Sequence, residues 1–549
     1  MARKLAGQPF SQRRTAAILV DVIERTRKAI LILVVLLCSA GWAVAEETEF
    51  VVSFLPSRIR LNPIETFTST EAQIYTAIYE GLVSYHPLTV RPVPGVAQRW
   101  DVNPAGTVYT FYLREDARYW NGDRVTANHF RDTWLALLDP RSESAYSFLF
   151  DAILGAEQYR SGNNPDPRSV AVRALEEGVL EVELEHPAPH FLDVLAHHSF
   201  VPVHPDMLAS GDWDRGEDVI GNGPFRIIEH SDEEMLLQRS RRYWDRRNVR
   251  VPRLRFVFSE DYEATTRAFN DGSIHWVAGG MSLDAVDQPR SIIVNPMFAT
   301  SYYFFVADRE PWDDPRVRRA MALLLPWDRI RDEEIHFAPA TTLVPAIPGY
   351  PEVVGIVEQD LDEAFELLEQ AGYPEGAELP QPVLRIPGGA ESTRVVELMR
   401  ESWREYLDLA SRVELIEYPD YFDSLSADRG YTVATVSWIG DFADPLTFLQ
   451  MWTSRSNLNE SGFANSDYDA VVRDAASLRG NERFEGLSRA ERMLLETAVV
   501  LPVSHSPAVN LIDLSVVDGW FPNPLDIHPF KHVRLLGMTP APGVVRYPR

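Results

Sequence analysis

The chain has 549 residues, of which 45% are hydrophobic and 24% are charged, and its formal net charge is −27. This balance is typical of a globular protein, and the length predicts two or three structural domains. The strong negative charge argues against nucleic-acid binding, and the lack of a G-x-x-x-x-G-K-[ST] motif argues against nucleotide hydrolysis of the P-loop type.

Residues 1–45 have the pattern of a secretion signal. A leader rich in arginine and lysine precedes the apolar run 29–38, and an A-x-A cleavage site ends at Ala45. The run is short for a membrane span, so an uncleaved anchor is the less favoured alternative. Cys38 is the chain's single cysteine, and it follows Leu37 where a lipoprotein signal requires a small residue. We therefore expect a cleaved, secreted chain without a lipid anchor or a thiol.

Spacing and turn residues predict the elements of the first half. Residues 50–55 are predicted to form an opening strand, and residues 71–79 a helix. The run 109–113 is a predicted strand, and Thr126 is a suitable N-cap for a helix with apolar residues at helical spacing. Residues 180–184 alternate leucine or valine with glutamate, which predicts a half-buried strand with a solvated acidic face.

Five histidines lie close to this strand, and they raise the question of a metal site. Prolines between the first two prevent those two from sharing one helical face, and the chain contains no H-E-x-x-H motif. We therefore predict no metal site here, and nothing in the sequence indicates a cofactor. The histidines are His186, His190, His197, His198 and His204.

The second half alternates helical and strand patterns. Asp314-Pro315 predicts a helix start, because aspartate caps well and proline suits the first helical position. A later amphipathic helix is expected to end before Gly372. A helix at 395–407, a strand at 413–418 and a strand at 431–438 then follow, in the order of a βαβ unit.

The stretch 431–449 carries the strongest candidate for a functional site. Its first half is a predicted buried strand, which Gly440, Asp441 and Asp444 interrupt. Open α/β sheets bind ligands at the carboxyl ends of their strands, so a carboxylate delivered there is a candidate ligand group. The alternative is structural, because either aspartate can also cap the turn or the helix near Pro445. These residues alone leave both interpretations open.

A set of short motifs resembles the extracellular solute-binding proteins of the oligopeptide- and dipeptide-binding class, the ligand-capturing subunits of ATP-driven importers. The motifs occur in that family's order and span nearly all of residues 50–535. They are Y-E-G-L at 79–82, the run 109–134, G-N-G-P-F at 221–225, D-D-P-R at 313–316, L-L-E-Q-A-G-Y at 367–373 and W-I-G-D-F-A-D-P at 438–445. Their order, more than any single motif, carries the resemblance.

The resemblance implies an α/β fold of the periplasmic-binding-protein-like kind (type II, cluster C), with two lobes joined by crossing segments and an extra inserted domain. The ligand is expected between the lobes. The expected division is a signal peptide at 1–45, lobe I at 46–78, 207–308 and 521–549, the inserted domain at 79–206, and lobe II at 309–520.

The resemblance also implies a role. A member of this family captures short peptides in the periplasm and delivers them to the permease subunits of an importer, as a monomer and without catalysing a reaction. Carried to this chain, it makes Asp441 the partner of the ligand's α-ammonium, since a buried ammonium needs a charge partner. The tryptophan and phenylalanine beside it can equally be core residues, and the tyrosine opposite a surface aromatic. The residues expected around the ligand are Trp438, Ile439, Gly440 and Phe442, with Tyr146 on the opposing side.

Some positions depart from the family pattern. Thr435 stands where the well-known oligopeptide binder has an arginine, and the loop 66–70 lacks the glutamate that this binder carries near its ligand. His129 replaces a common aspartate in the first turn of a predicted helix, which we interpret as a structural change. The first two departures leave the length and even the class of the ligand open.

Three alternatives therefore stand beside peptide capture. The same fold can bind a non-peptide solute such as a nickel chelate, a sugar or an opine. It can also carry a ligand to a sensory receptor instead of a permease. More remotely, the chain can be a secreted hydrolase in which Asp441 and Asp444 act as acid and base, although no G-x-S-x-G motif occurs.

Overall fold

The computed structural model describes residues 48–536, apart from residues 143, 214, 336–337 and 418–419. The predicted signal at 1–45, including Cys38, lies outside these residues. The chain divides into the units 1–49 and 50–549, and the fold below is that of the second unit. Within the described ranges, no helix combines the length and the apolar character that a membrane crossing requires.

The described part of the chain alternates strands and helices throughout. Its strands, in chain order, are β1 (Glu49–Phe54), β2 (Val83–Tyr85), β3 (Pro92–Pro94), β4 (Ala97–Val102), β5 (Val108–Leu113), β6 (Val172–Glu176), β7 (Val179–Glu183), β8 (Phe225–His230), β9 (Glu234–Arg239), β10 (Arg253–Phe258), β11 (Trp276–Val277), β12 (Ile292–Pro296), β13 (Ala299–Phe305), β14 (Ala338–Pro339), β15 (Val383–Pro387), β16 (Arg412–Ile416), β17 (Val433–Ile439), β18 (Val500–His505), β19 (Pro507–Ile512), β20 (Val517–Asp518) and β21 (Arg534–Leu535).

The α-helices of the same residues cover or connect these strands. In chain order they are α1 (Ser69–Ile78), α2 (Ala127–Leu137), α3 (Ala156–Arg160), α4 (Phe191–Val194), α5 (Pro205–Ser210), α6 (Tyr262–Asn270), α7 (Pro315–Leu323), α8 (Leu361–Ala371), α9 (Ala390–Leu407), α10 (Tyr421–Ala427), α11 (Leu446–Leu449), α12 (Ser466–Ser477) and α13 (Gly480–Glu496).

The first sheet collects strands from three distant parts of the chain. Its order is β12-β19-β11-β1-β10-β9-β8. β1 runs parallel to β11, whereas β19 runs antiparallel to both β11 and β12. Phe50, Val52 and Phe54 on β1 are buried against aromatic residues such as Trp276 and Phe256, which form the core of this sheet. The predicted opening strand is thereby confirmed.

The second sheet has the order β14-β18-β13-β17-β15-β16. β15 runs parallel to both β16 and β17, and α9 connects β15 to β16. This is the βαβ organisation that the sequence predicts. β17 pairs antiparallel with β13 on its other side, so the strand that leads to Asp441 lies inside the sheet.

The third sheet lies within the range predicted for the inserted domain. Its four strands are antiparallel, in the order β4-β5-β7-β6. β7 buries Leu180 and Val182 and leaves the intervening positions partly exposed, as the alternation predicts. The apolar face of α2 is buried through Phe130, Trp134 and Leu137, and the Trp134 indole donates to the carbonyl of Phe200 at 3.1 Å.

The chain passes directly from one main sheet to the other at two places. β12 of the first sheet ends at Pro296 and β13 of the second begins at Ala299; β18 of the second ends at His505 and β19 of the first begins at Pro507. The lobe boundaries expected at 308/309 and 520/521 lie later in the chain than these crossings. We propose the same division into lobes and inserted domain, with these crossing points.

Local signals placed several helix ends correctly. Asp314 caps α7 by accepting from the backbone N–H of Arg316 at 2.8 Å, and Gly372 ends α8 with φ of 90°. The backbone N–H of Thr126 donates to Nδ1 of His129 at 3.2 Å, so His129 serves the start of α2. The structural interpretation of His129 is therefore confirmed.

A buried ion pair ties the end of the described chain to its beginning. Lys531, the only lysine after the leader, places Nζ 2.9 Å from Oε1 of Glu80. Tyr243 and Trp244 donate to the same carboxylate at 2.6 and 2.5 Å. The side chains of Lys531 and Glu80 are 8% and 3% exposed, so either charge left alone would be desolvated without compensation.

We predict that Lys531→Met lowers the free energy of unfolding by about 3 kcal/mol, because it leaves the Glu80 carboxylate buried beside two neutral donors. Arg534→Met is the matched control, since Arg534 pairs with Asp518 near the surface and should matter by less than about 1 kcal/mol. Urea denaturation of both variants measures the difference. Equal effects would contradict a structural role for the buried pair.

Candidate ligand-binding site

Asp441 lies just beyond the end of β17, and its carboxyl group is buried. The residue is 8% exposed, and the hydroxyl of Thr447 donates to its Oδ2 at 3.1 Å. The backbone N–H of Asp441 donates in turn to Oγ1 of Thr447 at 2.8 Å. No lysine or arginine of the described residues forms an ion pair with this carboxyl group. Because burial disfavours the charged form, the pKa of Asp441 rises to about 8.

His197, from the segment between α4 and α5, faces this carboxyl group. Its Nε2 lies 3.6 Å from Oδ1 of Asp441, slightly beyond hydrogen-bond distance. Burial lowers the pKa of His197 to about 3, so its ring is neutral at physiological pH. Nδ1 accepts from the backbone N–H of Ser199 at 3.3 Å, and we therefore assign the hydrogen of the neutral ring to Nε2.

Tyr146 contacts His197 and so lies close to Asp441. The two rings meet edge to face with centroids 4.4 Å apart, and the Tyr146 hydroxyl donates to the carbonyl of Phe67 at 3.0 Å. Tyr146 is 4% exposed, so the alternative of a surface aromatic is wrong. Phe67 in turn contacts Phe422 of α10, with centroids 5.3 Å apart. Aromatic contacts thus connect Tyr146 through Phe67 to Phe422 of α10.

Trp438 lines a cavity of about 40 Å³ next to Phe67. The tryptophan is 6% exposed, and its Nε1 has no hydrogen-bond partner among residues 48–536 as described; the same holds for Nε1 of Trp452. Glu460 is the acidic residue of the lining, and burial raises its pKa. The aromatic lining residues are Phe67, Tyr302, Phe304, Phe422, Trp438 and Trp452.

Gly440 connects the strand to Asp441 in a crowded position. Its N–H donates to the carbonyl of Phe298 at 2.8 Å, and the preceding Ile439 pairs with Ala299 at the end of β13. A Cβ atom at Gly440 would lie 2.8 Å from side-chain atoms of both Phe298 and Thr447. Glycine is therefore required here by packing, because any larger residue would displace the threonine that holds Asp441.

Phe442 and Asp444 have structural surroundings. Phe442 is 1% exposed and stacks on His190 with ring centroids 5.6 Å apart, so it packs in the core and does not line the cavity. Asp444 accepts from both terminal nitrogens of Arg483, at 2.6 and 2.8 Å, and from the backbone N–H of Leu446 at the start of α11. The capping interpretation is thus confirmed for Asp444.

Thr435 and the loop 66–70, the two departures that bear on the ligand, form hydrogen bonds within the protein. The hydroxyl of Thr435 donates to the carbonyl of Tyr302 at 3.0 Å, within the second sheet. The loop 66–70 is held by Glu71, whose Oε2 accepts from the backbone N–H groups of Phe67 and Thr68 at 2.7 and 2.8 Å. Neither position therefore offers a charge to a ligand.

The five histidines at 186–204 raised the question of a metal site. Within the ranges that the structure describes, no three His, Cys, Asp or Glu side chains are arranged to hold an ion. His197 nevertheless lies next to Asp441, and the sequence analysis considered it only as one of five histidines at a possible metal site. The adjacent histidines at 197 and 198 were the sequence signal that could have pointed to this position.

Comparisons with known proteins agree with this architecture. The chain is 27% identical over 440 residues to the dipeptide-binding protein DppE of Bacillus subtilis (strain 168), which covers 76% of this chain and 80% of DppE. The solved structure of the Escherichia coli murein tripeptide binding protein MppA matches with a TM-score of 0.81 and 26% identity, over 89% of this chain and 99% of that one. The predicted two-lobed fold is therefore confirmed.

A second MppA structure, an unliganded open form, matches with a TM-score of 0.61 and 25% identity, over 89% of this chain and 98% of that one. This match is weaker than that to the first MppA structure. The family model named "Bacterial extracellular solute-binding proteins, family 5 Middle" matches residues 91–460, more than half of the chain. The chain therefore belongs to the bacterial extracellular solute-binding proteins of family 5.

Proposed function

We propose that this protein captures short peptides between its two lobes and delivers them to the permease of an ABC importer. The observation that supports this most is the carboxyl group of Asp441, which is buried at a strand end without a lysine or arginine partner in the described ranges. DppE and MppA, named above, are peptide-binding proteins by their names, and they supply the ligand class.

The α-ammonium of a peptide is the group that suits Asp441. Charging this carboxyl group in the empty site is unfavourable, because burial outweighs the hydrogen bonds from Thr447 and from its own backbone N–H. An ammonium supplies a full positive charge and three N–H donors, so binding stabilises the ionised carboxylate. Peptides with a free amino terminus are thereby favoured over N-blocked ones.

The other expected site residues divide into two groups. Trp438 and Tyr146 are proposed to contact the ligand, since Trp438 lines the cavity and Tyr146 packs on His197, the neighbour of Asp441. Ile439 and Gly440 contribute backbone, and Phe442 is proposed to act only by packing beneath the site. The aromatic cavity is suited to a ligand side chain with an apolar surface.

Location and partners complete the proposal. The segment 1–45 has the pattern of a cleaved signal, and the family is extracellular by its description, so we place the mature protein in the periplasm as a monomer. An enzymatic role is disfavoured by Asp444: both of its oxygens are held by Arg483, which removes it as the second carboxyl group of a hydrolase.

Asp441→Asn should weaken binding of a free-amine peptide by roughly 2 to 5 kcal/mol, the cost of leaving a buried ammonium unpaired. The wild-type protein should bind an N-acetylated copy of the same peptide with a comparable loss. Asp474→Asn is the control for net charge, because Asp474 is exposed. Calorimetric titration measures all three, and equal affinity of the wild type for free and acetylated peptides would refute the ammonium assignment.

The stability of the empty protein should depend on pH through Asp441. The group's pKa is about 8 in the folded state and near 3.8 in the unfolded chain, so between these values the folded protein holds a proton that the unfolded chain has lost. Stability should therefore fall as the pH rises from about 4 to about 8, by at most about 1.4 kcal/mol per pH unit from this group. Asp441→Asn removes this contribution.

Urea denaturation of the wild type and of Asp441→Asn across this window measures the effect. The free energy of unfolding of Asp441→Asn, relative to that of the wild type, should increase with pH and level off above about pH 8. Parallel curves for the two proteins would mean that the carboxyl group is not desolvated.

A further inference from the structure

The Nε2–H group of His197 is a buried donor without an acceptor. His197 is 3% exposed, and its Nε2 has no hydrogen-bond partner among the residues that the structure describes. Leaving such a donor unsatisfied costs about 1 to 3 kcal/mol, so a group of this kind is retained where a ligand supplies the acceptor.

The surroundings of His197 exclude the nearest protein acceptors. The ring of Tyr146 meets it at 4.4 Å, but the Tyr146 hydroxyl is directed to the carbonyl of Phe67. On the other sides the ring contacts His198 and Phe200, with centroids 3.9 and 5.5 Å apart. Oδ1 of Asp441 remains, and at 3.6 Å it is out of hydrogen-bond range.

An acceptor, Oδ1 of Asp441, and a donor, Nε2 of His197, thus lie 3.6 Å apart. The first residue of a peptide presents the complementary pair: an ammonium that donates and a carbonyl oxygen that accepts. Standard bond lengths and angles keep these two atoms roughly 2.7 to 3.6 Å apart, because a single carbon separates the groups that carry them. This range includes the 3.6 Å that separates Oδ1 of Asp441 from Nε2 of His197.

We propose that Asp441 and His197 together recognise an α-amino acyl group, with Asp441 accepting from the ammonium and His197 donating from Nε2 to the first carbonyl oxygen. This inference rests on the proposed function and adds a specificity to it. The site selects ligands that carry an amine and a carbonyl on neighbouring carbons. It discriminates against β-amino acyl groups and against simple alkylamines, which Asp441 alone would accept.

The test uses two pools of tripeptides that differ only in the position of the amine: Ala-Xaa-Xaa and β-Ala-Xaa-Xaa. Alanine and β-alanine are isomers, so the pools match in composition and mass. Each pool is titrated separately into the full mature protein, with the bound fraction measured by native mass spectrometry. Wild type, His197→Phe, His197→Gln, His198→Phe and Asp441→Asn are compared.

The wild type should prefer the Ala pool by about tenfold or more, equivalent to one hydrogen bond with good geometry. His197→Phe should lose this preference, whereas His197→Gln, which keeps an N–H donor, should retain part of it. His198→Phe is the matched control, because it removes a neighbouring buried imidazole that makes no ion pair with Asp441, and the phenyl ring can keep the ring contacts to Tyr75, Tyr146 and His197. It should leave the preference unchanged.

Three results would overturn the inference. The first is equal affinity of the wild type for both pools. This result requires no variant, so it would count even if a variant fails to fold. An unchanged preference in His197→Phe would remove the histidine from recognition. An equal loss for both pools in that variant would mean that His197 only steadies Asp441. The proposed function fails separately, if the wild type binds neither pool or if Asp441→Asn binds the Ala pool as well as the wild type.

Discussion

The burial of one carboxyl group without a positive partner is the constraint on which the candidate site depends. Asp441 is buried just beyond the end of β17, and this burial raises its pKa to about 8. A soluble protein gains nothing in stability from such an arrangement. This burial is the reason for our proposal that the ligand supplies the missing positive charge.

Segments that are far apart in sequence meet at this group. The second sheet supplies Asp441, the inserted segment supplies His197 and Tyr146, and the loop before α1 supplies Phe67. Each piece is fixed by its own local hydrogen bonds, as Glu71 fixes the loop. A ligand that enters between them therefore meets groups whose positions are already set, which reduces the ordering that binding requires.

The sequence predicted the features that depend on residues close together in the chain, and it missed those that depend on contacts between distant residues. Caps at Asp314 and Thr126 and the alternation in β7 depend on neighbours within a few residues, and the structure confirms them. Asp441 was found because a strand end is a local signal. His197 was missed since its importance arises from a contact with a residue 244 positions away. Phe442 could not be assigned for the same reason: only tertiary packing places it against His190 instead of the cavity.

The short links between the two main sheets also set how the protein can move. β12 and β13 are separated by Met297 and Phe298 alone, and β18 and β19 by Ser506 alone. Hinges are commonly formed by a few residues at the ends of such elements, so a rotation of one sheet against the other would change the backbone torsions of these residues. The carbonyl of Phe298 accepts from Gly440, the neighbour of Asp441. This hydrogen bond links the connection between the two sheets directly to the residue before Asp441, so a change in the backbone at Phe298 would also shift the group that we propose binds the ligand's ammonium.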